Sequence, residues 1–311
     1  MNQPISVVMA VHNDAEYCGD AIESILRQTF TDFEFIIVDD GSTDETPAIL
    51  KECASRDPRV RLISHEHQGA AMSRNVGITL ASGVYIASMD GDDRSLPHRL
   101  EVLYSVLNSD SQIGLVGGNS EVIDEQGRII GYRIINTLDA NMSLRRRCIY
   151  QGGDVVFRKD LWAAVGGYRV GFRFSQDYDL WLRMSDHAQG VKVPEITYQW
   201  RVSSESPTLT KMPQHDRFAD LARLFADQRR ATGRDSYTIT LPEMTSISSD
   251  NRQDSAYALL WIALVKLRDI AKAAAAGDLK KIVRLKGRWK WKVIAWITLL
   301  LPQKVTRIFL C

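Results

Sequence analysis

Four short apolar runs, separated by stretches with helical spacing, constrain the fold of this chain more than any other feature. Ile5–Val11, Phe33–Val38, Val60–Ile63 and Val84–Met89 have the length of strands and are apolar almost throughout. Strands buried on both faces of a parallel sheet read this way, whereas half-exposed strands alternate with polar residues. Between the runs, Tyr17 to Gln28 carries Ala21, Ile22, Ile25 and Leu26 on one face. Ser42 with Glu45 predicts a capping box that opens a helix through Ile49, Leu50 and Cys53. Gly69 to Leu80 supplies a third helix. The order β-α-β-α-β-α-β predicts an α/β fold with a mostly parallel, Rossmann-like central sheet flanked by helices.

Acids stand where two of these strands end. The second runs into Asp39-Asp40-Gly41, and the fourth into Asp90-Gly91-Asp92-Asp93. Open α/β sheets bind ligands beyond the carboxyl ends of their strands. Three carboxylates within four residues repel one another unless a cation joins them. Asp is a hard oxygen ligand suited to Mg²⁺ or Mn²⁺, ions commonly shared with substrate phosphates. A solvated acidic turn is the plainer alternative. Further along, Pro97 suits the first turn of a helix bearing Leu100, Leu103, Val106 and Leu107. Glu121 to Ile135 predicts a hairpin, Leu138 to Tyr150 a helix with three consecutive arginines, and Asp154 to Phe157 a short strand. In Gln176-Asp177-Tyr178-Asp179, Asp177 falls at the start of a helix, where a carboxylate can act as a cap as well as a reacting group.

Several function classes drop out. A net charge of +1 gives no signal for nucleic acid. The four cysteines form no C-x-x-C pair, so neither a zinc site nor a redox motif is expected. No G-x-G-x-x-G follows the first strand and no G-x-x-x-x-G-K-[ST] occurs, so the common nucleotide loops are absent. The start of the chain carries no basic-apolar leader, and no apolar run reaches the length of a membrane span. The six histidines are dispersed; His12, His65, His67 and His98 are expected at surface or turn positions.

Taken together, six pieces resemble the second family of inverting glycosyltransferases, which have the GT-A type of fold. They are Pro4–Val8 with Asn13, Ser24–Thr29, Val38–Asp44, Arg74–Gly77, Met89–Asp93 and Gln176–Arg183, in the family's order over about residues 4–205. The resemblance implies transfer of a sugar from a nucleotide-diphosphate donor, with UDP the commonest carrier, to a saccharide or lipid-linked acceptor in polysaccharide biosynthesis. By the same match, Val11, Asn13, Asp39, Asp40, Arg74, Asp90 and Gly91 would contact the nucleotide sugar, with Asp40 rather than Asp39 on the base. Asp92, with Asp93 as its competitor, would hold Mn²⁺ or Mg²⁺, and Asp177 would be the catalytic base. Gln176, Asp179 and Arg183 would be acceptor-side or secondary positions. Gln176 replaces the family's Glu, and the loop Ser203–Pro207 lacks the histidine many relatives carry. The Gln-x-x-Arg-Trp motif of processive members is missing, which implies transfer of a single sugar.

The resemblance does not reach the last hundred residues. A glycosyltransferase domain over 1–211, split near 105 into a donor half and an acceptor half, would be followed by a helical region over 212–311. Between residues 280 and 307 stand nine Lys or Arg, no Asp or Glu, and three tryptophans. This pattern predicts contact of 280–310 with a membrane surface, at the cytoplasmic face. Its alternative is a helix closing the core or a homo-oligomer interface. Two rival functions are carried forward: transfer to a polyprenyl phosphate, and non-catalytic binding of a nucleotide sugar.

Overall fold

The structure is a computed structural model that describes residues 4–203 and 211–238. Of the helical region expected over 212–311, residues 239–311, with the basic, tryptophan-bearing stretch 280–310, lie outside the described residues. Strands β1 (Ile5–Val11), β2 (Phe33–Asp39), β3 (Val60–Ser64) and β4 (Tyr85–Asp90) alternate with helices α1 (Cys18–Leu26), α2 (Thr46–Arg56) and α3 (Ala70–Leu80). They form a parallel block in the order β3-β2-β1-β4. Every residue of β1 except Ala10 is buried. That accounts for the lack of alternation in the sequence, since both faces of the strand are covered.

Period two still decides which helix each side chain meets. Val8, Ile36, Val38 and Ile86 pack on one face with Ala71 and Ile78 of α3. Val7, Met9, Phe35, Ile37 and Met89 pack on the other with Ala21, Ile22 and Ile25 of α1 and Leu50 of α2. Helix α4 (Arg99–Ser109) adds Leu100, Leu103 and Leu107 to this second layer.

The sheet continues through β5 (Arg94–Ser95), β6 (Ile113–Ile123), β7 (Ile129–Arg133), β8 (Val156–Arg158) and β9 (Gln189–Arg201). From β4 the order runs β8-β6-β9-β5, with β7 paired to β6. β8 is antiparallel to both neighbours, while β6 and β9 are parallel. The expected hairpin is β6–β7, with a register shift at Val122/Ile123. Helices α5 (Ala140–Arg146), α6 (Lys159–Ala164), α7 (Gln176–Ser185) and α8 (Met212–Thr232) complete the first layer.

Three local expectations change. The Ser42–Glu45 capping box does not form: Ser42 Oγ accepts the Asn13 N–H at 3.0 Å, and Asp44 Oδ1 instead accepts the first helical N–H, that of Thr46. The helix expected over 138–150 is confined to α5, capped by Asp139, whose Oδ1 accepts the Met142 N–H at 2.8 Å. The division expected after residue 211 falls after Asp250. Its physical reason is the apolar face of α8, where Phe218, Ala222, Phe225 and Ala226 are buried in the core beside Phe172.

Candidate active site

β1 lies between β2 and β4, and the chain leaves it in one direction for β2 and β3 and returns on the other side for β4. This is a topological switch point, where the loops beyond two adjacent strand ends diverge and leave a crevice. A cleft of about 770 Å³ opens there, lined by Val11, His12 and Asp14 after β1, Asp40 after β2, and Asp90 to Asp93 after β4. The start of α7 with Gln176 and Asp177, the segment Arg147 to Gly152, and part of α8 close the other side.

The nucleus of the cleft is an excess of carboxylates around one cation. Arg74, 8% exposed on α3, pairs with Asp90 at 2.5 Å and lies 3.5 Å from Asp177. Its Nε and Nη1 are buried and have no hydrogen-bond acceptor, and neither does Asp177 Oδ1 have a donor. Burial pushes the Asp177 carboxyl above its ordinary range, Arg74 pulls it back, and Asp90 adds to the rise. Burial likewise raises Asp92 to about 7 and Asp14 to about 6, with Asp90 contributing to both. The close approach depends on Gly91, where a Cβ would stand 2.7 Å from Asp14 Oδ2. Gly152 does the same for the base candidate, since a Cβ there would meet Asp177 Oδ2 at 2.7 Å. Asn13 and Ser175, the non-glycine residues with positive φ among the described residues, immediately precede Asp14 and Gln176 at the cleft. Strained backbone of this kind persists where the surrounding structure holds it, often at functional sites.

The acid turn is clamped from behind by β9. Arg201 donates its backbone N–H to Asp93 Oδ1 and its Nε–H to the Asp92 carbonyl, both at 2.7 Å. Asp93 is buried, and burial with Asp92 beside it raises its carboxyl well above the usual range. One of its oxygens thus anchors the turn, while Asp93 also lines the cleft beside Asp92. Beneath the turn, fully buried Arg99 donates to the Ser88 carbonyl and lies 3.5 Å from Asp154.

Asp40 reaches the cleft and accepts the N–H groups of Gln68 and Gly69 at 2.7 and 2.9 Å. Asp39 turns away, buried, and accepts the Ser42 N–H at 3.0 Å. Asn13 Oδ1 accepts the Thr43 N–H at 2.8 Å and braces the loop after β2. Asp179 and Arg183 do not line the cleft. Asp179, fully buried, pairs with Arg183 at 2.8 Å and with Arg169 at 3.4 Å; of the acceptor-side or secondary positions expected for these two residues, this geometry has the secondary kind. Two positions apart on a helix, Asp177 and Asp179 face different ways.

Reading the sequence overlooked Asp14, and it dispersed histidines that the fold assembles. The His12 and His67 rings lie 4.1 Å apart, and His67 Nδ1 sits 2.9 Å from Asp40 Oδ2. His12, Asp40 and His67 bring one ligand atom each within 4.8 Å of one another, a group able to hold a metal ion. Asp14 had a readable signal, being an acid at the end of the first strand like those ending the second and fourth. The histidine pairing had none, because His12 and His67 are 55 positions apart, after β1 and after β3, and meet through the β1–β2 and β2–β3 pairings.

The acid turn has the donor chemistry that Mg²⁺ and Mn²⁺ favour. Asp14, Asp90 and Asp92 offer hard oxygen donors whose repulsion a divalent cation would relieve; burial raises the carboxyls of Asp92 and Asp14, and Asp90 adds to both rises. The residues fit the ion.

Comparison with known proteins agrees with this geometry. The family model for glycosyl transferase family 2 matches residues 6–177, more than half of the chain. The chain is 33% identical over 207 residues to the putative glycosyltransferase EpsE of Bacillus subtilis, covering 65% of this chain and 74% of that one. It is 31% identical over 233 residues to the O-antigen biosynthesis glycosyltransferase WbnJ of Escherichia coli, covering 73% and 91%. Among solved structures, the mannosyltransferase PcManGT of Pyrobaculum calidifontis, in complex with GDP-Man and Mn²⁺, aligns with a TM-score of 0.57 at 17% identity, covering 94% of this chain and 84% of that one. S. aureus TarS 1–349, in complex with UDP-GlcNAc, aligns with a TM-score of 0.54 at 16% identity, covering 90% and 89%. At such identities the likeness is one of fold, and that fold is the GT-A type. With the sheet, the switch-point cleft and the family match in agreement, the chain belongs to glycosyl transferase family 2.

Proposed function

We propose that this glycosyltransferase moves a single sugar, with inversion, from a nucleotide-diphosphate sugar to a hydroxyl of a saccharide or lipid-linked acceptor, and that it needs Mn²⁺ or Mg²⁺. The observation carrying the reading is the opposition, across one cleft, of the acid turn Asp90–Asp92 and the half-buried carboxylate of Asp177. The base of the donor would lie by Asp40, and its ribose and diphosphate by Val11, Asp90 and Gly91. UDP is the favoured carrier, supported by TarS in complex with UDP-GlcNAc, while the GDP-Man complex of PcManGT names the competitor.

Asp92, with Asp90 and Asp14 beside it, would hold the cation. When bound, the ion supplies charge stabilisation to the departing diphosphate. The remaining chemistry belongs to the chain. Asp177 accepts the proton of the attacking hydroxyl at Oδ1 or Oδ2, and its raised carboxyl makes it a stronger base than a solvated Asp. Arg74 keeps that carboxylate ionised and fixes it relative to Asp90. Binding donor and acceptor in line would lower the barrier by removing the search for orientation.

Purified protein offered several nucleotide sugars with Mn²⁺ should release nucleoside diphosphate. EDTA should stop the release, and Asp92→Ala should abolish it. Metal-independent release in both proteins would sink the proposed metal site. Tight donor binding with no turnover across an acceptor panel would favour the non-catalytic rival.

A further inference from the structure

Beyond Asp177 the cleft changes sign. Arg133, at the end of β7, donates from Nη1 to Gln151 Oε1 at 2.8 Å and from Nη2 to the Cys148 carbonyl at 2.9 Å. Arg147, just past α5, exposes its side chain to the same cleft. Neither forms an ion pair with a carboxylate among the described residues, although thirteen other arginines do. Burial lowers the Arg133 guanidinium, Arg147 adds to that lowering, and Cys148 and Asp154 oppose it. Gln151 gives an independent sign. Its Oε1 is taken by Arg133, and its Nε2 is a buried donor without an acceptor, in a residue that lines the cleft. At the next residue, Gly152, a Cβ would meet Asp177 Oδ2.

Two unpaired cations and an unused amide donor beside a base describe half of an anion site. The donor's diphosphate does not fill it. That group belongs at the ends of β1 and β4, whereas β7 lies beyond β8 and β6 in the sheet order. Asp216 on α8 is an acid that also lines the cleft, and it forms no ion pair with either arginine among the described residues. We infer that Arg133, Arg147 and Gln151 form a phosphate subsite for the acceptor, so that the sugar is transferred to a hydroxyl near a phosphate group. The inference rests on the proposed function for the identity of the acceptor. A phosphate offers three oxygens to converging forks and an amide, and arginine suits it in geometry and charge. Two sources share that chemistry, a phosphodiester polymer and a diphosphate-linked lipid carrier.

The test is calorimetric binding with UDP and Mn²⁺ saturating, using glycerophosphoglycerol, farnesyl diphosphate and glucuronate as probes. At least one phosphate probe should bind, and Arg147→Gln should weaken it about tenfold or more, the loss expected for one charge-assisted contact. Arg145→Gln, on α5 but outside the cleft, should stay within about twofold of wild type. Preference for glycerophosphoglycerol supports a polymer acceptor, and preference for farnesyl diphosphate supports a lipid carrier. Equal affinity in wild type and Arg147→Gln, or binding of glucuronate alone, overturns the inference. Arg133 also braces the Cys148 backbone, so Arg147→Gln is the deciding variant and a thermal melt checks its fold. Failure of UDP to bind would count against the proposed function, whereas Arg147-dependent phosphate binding would still stand.

Discussion

Asp177 and Asp179 sit two residues apart on α7 and do opposite things. Asp179 is fully buried and spends both oxygens on arginines: Oδ2 on Arg183 and Oδ1 on Arg169, which in turn pairs with Asp235. Asp177 is 19% exposed, faces Arg74 at 3.5 Å without a hydrogen bond to Oδ1, and is pushed up by burial. One carboxylate is saturated and belongs to the frame; the other is left short of partners and belongs to the cleft. A saturated buried pair gives stability through its geometry, and losing one partner is costly because the other charge stays buried. An under-satisfied carboxylate stores reactivity instead.

The largest expected effect separates the two. Asp177→Asn should lower transfer by about a thousandfold, within the usual range for loss of a general base, while the melting temperature holds or rises. Asp179→Asn should instead destabilise the fold by about 3 to 5 kcal/mol, by stranding Arg183. Full activity in Asp177→Asn would break the assignment of the base. A wild-type melt for Asp179→Asn would show that its ion pairs contribute nothing.

The acid turn sharpens the contrast, because there the shortage of partners has a sign that pH reveals. Asp92 has its folded carboxyl raised to about 7 from an ordinary 3.8. The folded state therefore binds this proton more tightly than the unfolded chain does. The metal-free protein bears no penalty from Asp92 below about pH 4, loses stability as pH rises towards 7, and carries the full cost above it. For a rise of that size the cost is at most about 4 kcal/mol. Asp92→Asn should match wild type at pH 4 and exceed it by up to this amount at pH 8 with EDTA present. Mn²⁺ should raise the melting temperature of wild type at pH 8 and leave Asp92→Asn nearly unmoved. A wild type that gains stability from pH 4 to 8 relative to Asp92→Asn would contradict the raised carboxyl.

The same contrast explains what reading the sequence could reach. The parallel block was legible because doubly buried strands cannot hide their apolar runs, and Asp40, Asp90 and Asp92 were legible because strand ends carry the ligand side of such sheets. Asp179 and Arg183 fall in the same motif as Asp177, and a motif does not state which way each residue faces. Arg169 and Asp235, the partners that bury Asp179's network, come from a loop and from beyond α8. Arg201, more than a hundred residues from Asp93, holds the acid turn through a backbone N–H, a contact with no trace in residue type. The Ser42–Glu45 box failed for a related reason: the loop after β1 claimed the Ser42 hydroxyl first. Local patterns survive folding where nothing competes, and tertiary partners override them at the cleft.

The smallest expected effect concerns Arg74, the cation that links the two acids of the cleft. It lowers the Asp177 carboxyl against the push of burial. Arg74→Lys keeps the charge but replaces a planar fork with a single point, which cannot face Asp90 and Asp177 equally. Its ammonium should stay with Asp90, the closer partner, and leave Asp177 less stabilised as an anion. The acid limb of kcat/KM should then move to higher pH by about half a unit, with the alkaline side nearly unchanged. A shift to lower pH would mean that Arg74 does not act on Asp177 through charge. Loss of activity at every pH would mean instead that the guanidinium's position, more than its charge, orients the reacting groups.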